Sequence, residues 1–125
     1  MRQDLMELAD TYRQAGDAIL AAIAESVKAA GGFVNASNNK QEKADMRALV
    51  FNSKTGYSET FPIRALRLSE KGAVEVYVGT FGTIYTDSYL RNDARSGEHW
   101  LPLKDSNILF FQTILSIARN IDQYL

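Results

Sequence analysis

His99 is the one histidine among 125 residues, and no cysteine accompanies it. Imidazole titrates near neutral pH without help, so general-base chemistry in this chain would start at that side chain. Asp93 and Glu98 stand close enough in sequence to orient the ring, and Trp100 follows directly. His99 and Trp100 therefore mark a candidate pocket for a small ligand or a hydrolytic site. The other parts of such a site are missing. A nucleophilic triad also needs an activated hydroxyl and an oxyanion site, yet no Gly-x-Ser-x-Gly elbow occurs. Absence of cysteine removes thiolate nucleophiles, iron–sulfur clusters and Cys-ligated zinc, and a single histidine does not complete a usual zinc ligand set. No calcium loop of alternating acids is present, and no carboxylate pair stands out as a general acid and base. The expectation is no catalytic residue, no cofactor and no metal, with His99 an ordinary loop histidine.

Gly79-Thr80-Phe81-Gly82 carries two of the glycines of a phosphate loop, but the third is lacking and a strand pattern follows where a helix N-terminus is required. Strand geometry explains these glycines better, as a bulge or sharp bend.

A basic island makes the strongest case for a partner. Residues 40–71 carry seven cations against four acids, whereas the whole chain is at net −1. Arg47, Arg64 and Arg67 fall on strand patterns, with Tyr57, Phe61, Tyr77, Phe81 and Tyr85 on or beside them. Arginines and aromatics on one exposed sheet face can contact phosphates and stack single-stranded bases. The competing reading packs these aromatics into a core and lays the arginine stems over apolar surface. Net charge gives no long-range pull on nucleic acid and favours the second reading.

The elements that would position these residues are legible from periodicity. Leu5, Leu8, Tyr12, Ala15, Ile19, Ile23, Val27 and Ala30 recur every three or four residues and share one stripe of a helix. Gly31-Gly32 ends it. Gly16 lies inside that stripe, where Ala would favour the helix by about 1 kcal/mol; either the loss is tolerated or another backbone crosses closely. Beyond Phe33 the period becomes strand-like: a weak strand at 33–36, strands at 46–52 and 60–68, and a clean alternation at 73–78. That last segment sets Val74, Val76 and Val78 against Glu75 and Tyr77, the pattern of a strand with one face toward solvent. A further short strand is expected at 83–86. Tight turns at Gly56 and Gly72 imply antiparallel neighbours, because parallel pairing needs a long crossover. Pro62 suits a strand start or an edge. Residues 87–105 read as irregular, with Asp105 or Ser106 capping a final helix to about Tyr124. Its apolar residues span roughly half the helix circumference, more than one packing partner covers.

A chain of this length is one domain, 1–125, with 46% hydrophobic and 23% charged residues. Such a composition excludes disordered, collagen-like and disulfide-framed classes. No apolar run approaches the ~20 residues that span a bilayer, so a cytoplasmic protein without membrane contact is expected. The fold expected is α+β: a long N-terminal helix, an antiparallel meander sheet of four or five strands, and a C-terminal helix, both helices on one sheet face. The expected function is a small, non-enzymatic protein–protein interaction module, self-associating as a homodimer through helix or sheet-edge surfaces; the last helix needs more cover than the sheet supplies, which either the N-terminal helix or a second copy across a symmetry axis provides. Two alternatives stand beside it. One is single-stranded nucleic-acid binding through Arg47, Arg64, Arg67, Tyr77 and Tyr85. The other is a small-ligand or hydrolytic site near His99.

Overall fold

The computed structural model describes residues 2–36, 45–52, 56–78 and 100–125. Among these residues the chain forms helix α1 (Arg2–Ala29), strands β1 (Phe33–Asn35), β2 (Arg47–Asn52), β3 (Tyr57–Leu68), β4 (Val74–Val78) and β5 (Trp100–Pro102), helix α2 (Phe110–Asn120), and a closing 3₁₀ turn (Ile121–Tyr124). This is the α+β architecture that the periodicities imply. The strand expected at 83–86 lies outside the described residues.

All pairings are antiparallel, and β3 is the hub. Its C-terminal half lies between β1 and β4, and β5 follows β4. Its N-terminal half pairs with β2. The Ala36 N–H donates to Arg64 O at 2.9 Å, and Met46 O accepts from the Ile63 N–H at 2.8 Å. A register shift between Ile63 and Ala65 in the β3–β4 ladder reverses the parity of the strand at this point. As a result β1 and β2 lie end to end along the same edge of β3. Pro62, one residue before the β4 ladder begins at Ile63, turns its missing donor away from β2, so no described ladder bond is lost.

Alternation decides which sheet face is covered. Val34, Leu66, Val74, Val76, Val78 and Leu101 point inward and form one core with Ile23 and Val27 of α1 and with Ile114, Ile117 and Ile121. Burying each such side chain stabilises the fold by about 1.5–3 kcal/mol. Helix α1 ends as expected: Gly31 and Gly32 take positive φ, and the Gly32 N–H donates to Val27 O at 2.8 Å.

Most of the wide apolar arc of α2 is covered within one chain: Ile114, Ile117 and Ile121 are buried, Phe110, Phe111 and Leu115 half-buried, and Ala118 and Leu125 exposed. One flank packs on α1, where Phe110, Phe111 and Ile114 meet Gly16 and Phe111 meets Tyr12 edge-on. The close approach at Gly16 therefore comes from aromatic side chains and not from a crossing backbone. The other flank closes the free edge of β2. Thr113 Oγ1 accepts from the Leu49 N–H at 3.0 Å, and Ser116 Oγ accepts from the Arg47 N–H at 2.9 Å. Residues 107–109 extend this cover, since the Phe51 N–H donates to Asn107 O and the Leu109 N–H to Leu49 O. This use of the segment explains why α2 begins at Phe110 and not after Asp105. Residues that would form its first turn bridge β2 instead, and Asp105 Oδ1 caps a tight turn by accepting from the Asn107 N–H at 2.8 Å.

Stripe and cover part company at the start of α1. Leu5, Leu8 and Tyr12 are 62%, 49% and 57% exposed. The first two turns, about 11 Å at 1.5 Å per residue, overshoot the core, and Tyr12 meets the body through the edge of Phe111.

Candidate functional site: the sheet face opposite the helices

Residues alternating with the core positions form the opposite face. Phe33 on β1 pairs with Arg67 on β3, Arg67 with Glu75 on β4, Glu75 with Pro102 on β5, and Tyr77 with Trp100 on β5. Register alone therefore gathers two aromatics, an arginine and a carboxylate from three strands around one tryptophan.

Trp100 is the centre of the group. The Arg67 guanidinium carbon lies 4.1 Å from the indole centroid. Tyr77 approaches the indole at 5.4 Å and Phe33 at 6.2 Å, both edge to face. Such pairs contribute about 0.5–1.5 kcal/mol beyond their buried area. Arg67 is held from a second side, because its Nε–H donates to Glu75 Oε1 at 2.9 Å. The planar cation is thus stacked and ion-paired at once, a geometry that lysine does not reproduce. Phe33 is half exposed and the Arg67 side chain 38% exposed, against 19% for Glu75 and partial burial of Tyr77 and Trp100, so the surface the cluster offers is mainly Phe33 and Arg67.

Of the five residues proposed as a binding surface, Arg67 and Tyr77 meet in this cluster. Arg47 lies on β2, beside the other half of β3: it pairs with Pro62, donates to Thr60 O and Oγ1, and lies 3.7 Å from Asp45. Arg64 stands at the register shift, and its charge acts on the Tyr124 phenol. Tyr85 lies outside the described residues. So does His99, which leaves Trp100 as the described half of the proposed pocket, and Trp100 belongs to the sheet face. Phe33 and Glu75 were missed as members of the group. Their signal was cross-strand pairing, which is non-local and not carried by spacing along the chain.

Tyr124 is the one described group with a resolved shift. Burial raises its pKa above the ordinary 10.0, Asp45 adds to the rise, and Arg64 opposes it. Among the described residues no group of three or more His, Asp or Glu side chains is placed to hold a metal ion, and no helix is long and apolar enough to cross a membrane. An apolar groove of about 420 Å³ runs between α1 (Leu20, Ala24) and the chain at Val74 and Leu103. The Asp17–Lys104 ion pair (3.1 Å), whose two residues also line the groove, offers both charges to an occupant.

No family model, curated protein or solved structure matches this chain.

Proposed function

We propose that this protein is a non-catalytic interaction module that binds another polypeptide through the sheet face opposite its helices. One observation carries the reading: Trp100 gathers Phe33, Tyr77 and Arg67 on the face that the helices leave uncovered. Tryptophan, tyrosine and arginine are the residues that dominate binding energy at protein interfaces, because they bury large areas at low conformational cost.

Single-stranded nucleic acid would use the same aromatics for stacking. Against it, a phosphate must draw Arg67 away from Glu75, and a net charge of −1 adds no attraction. A polypeptide carries both signs of charge and can answer Arg67 and Glu75 together, so the cation keeps a carboxylate partner.

Trp100 is the sole tryptophan, so its emission reports on this face alone. The test is selection of peptides from a displayed random library, followed by titration against Trp100 fluorescence. Expected are ligands that shift the emission and lose at least ten-fold in affinity on Phe33→Ala or Arg67→Ala, a loss of about 1.4 kcal/mol. Selected peptides that bind without moving the emission and tolerate both substitutions overturn the reading. A fluorescein-labelled oligothymidine that binds with steep salt dependence replaces it with the nucleic-acid alternative.

A further inference from the structure

From the charge arrangement at the centre of the same face, we infer that its occupant is a second copy of this chain, docked face to face about a two-fold axis. The inference rests on the sheet face being the binding surface. A two-fold interface presents the same patch from both sides, so it must be complementary to itself. Arg67 and Glu75 meet that condition. They are cross-strand partners 2.9 Å apart, one cation beside one anion. An axis passing between them sets Arg67 of each copy over Glu75 of the other and joins the two intrachain pairs into a four-membered network. A patch with one sign of charge at its centre would repel its own image.

The surroundings agree with the charges. Trp100, Tyr77 and Phe33 flank the ion pair, and facing sheets pack about 10 Å apart, within reach of interleaved aromatic rings. The terminal helix offers less, because most of its apolar flank lies against α1 near Gly16 and against the β2 edge, with Ala118 and Leu125 the exposed apolar residues at its end.

The test uses two full-length variants. Arg67→Glu gives a chain whose centre is wholly acidic, and Glu75→Arg one whose centre is wholly basic. Sedimentation equilibrium up to about 1 mM, the weak end of measurable association, is run on the wild type, each variant and their equimolar mixture. Circular dichroism first establishes that both variants are folded; Arg67→Gln and Glu75→Gln substitute if either is not. Expected is a wild-type dimer, at least ten-fold weaker association of each variant alone, and recovery in the mixture. Recovery separates contact between copies from the intrachain pair, which the mixture does not restore. A monomeric wild type overturns the inference, while peptide binding reported by Trp100 would leave the broader reading standing. A dimer indifferent to both substitutions but lost on Leu5→Glu/Leu8→Glu also overturns it and moves the contact to the exposed turns of α1.

Discussion

A methyl group added at Gly16 would stand 3.0 Å from Cε2 of Phe110, so the missing side chain in α1 is the seat for the first ring of α2. The glycine costs the helix about 1 kcal/mol, and the fit to the aromatic pair offsets it.

Gly16→Ala should therefore be close to neutral, within about 0.5 kcal/mol, since the helical gain cancels a small displacement of the half-buried ring. Gly16→Leu has no such balance and should destabilise by about 1–3 kcal/mol through overpacking. Urea unfolding followed by circular dichroism checks both. A stabilised Gly16→Leu would show that the contact with Phe110 is loose.

Thr113 is fully buried and bonds the edge of β2 through Leu49. Thr113→Val keeps the shape but strands the Leu49 N–H, at a cost of about 1–3 kcal/mol. Ser116→Ala acts on the half-buried Arg47 N–H and should cost about 0.5–1.5 kcal/mol. Amide exchange at Leu49 and Arg47 reads each effect locally; unchanged protection at Leu49 in Thr113→Val would refute the edge-capping role.

Tyr124 gives a pH dependence whose sign is fixed. Its folded pKa is raised, chiefly by burial and then by Asp45. Below the ordinary value of 10.0 both states keep the phenolic proton, and the contribution to stability is complete. As pH climbs from there through the raised value, the unfolded chain releases the proton first, and stability falls. Tyr124→Phe should flatten that alkaline fall in thermal unfolding. Asp45→Asn should lower the Tyr124 pKa in a spectrophotometric titration, and Arg64→Ala should raise it.

Position along α1 should matter more than residue type. Leu5→Gln and Leu8→Gln, in the exposed turns, should change stability by no more than about 0.5 kcal/mol. Val27→Ala, in the core, should cost about 2 kcal/mol or more. Equal costs would mean that the first turns pack against the body.

What was legible in the sequence was what repeats locally. The alternation at Val74, Val76 and Val78 marks β4 and its buried face without reference to any other strand. The stripe from Leu5 to Ala30 marks α1, but periodicity records only which side is apolar and not how far the core extends, so the overshoot at Leu5 and Leu8 was hidden. Asp105 has the right chemistry for a helix cap; the demand of the β2 edge for partners at 107–109, a long-range effect, delays α2 to Phe110. Arg67 and Tyr77, two of the five residues named as a candidate surface, both contact Trp100. Trp100 reads from the sequence as a neighbour of His99, which lies outside the described residues; the pairing of β5 with β4 that carries Trp100 to the sheet face is visible only in three dimensions.

The end-to-end placement of β1 and β2 has a practical corollary. Ala36 and Met46 are tethered to consecutive residues of β3, so the chain leaves that strand and returns to nearly the same point. Joining two such neighbouring anchors with a longer segment adds only about 0.6 kcal/mol of closure entropy per doubling of length. An affinity tag or a small reporter domain spliced between residues 37 and 44 should therefore leave both ladders intact, which makes this junction the natural port for labelling the protein.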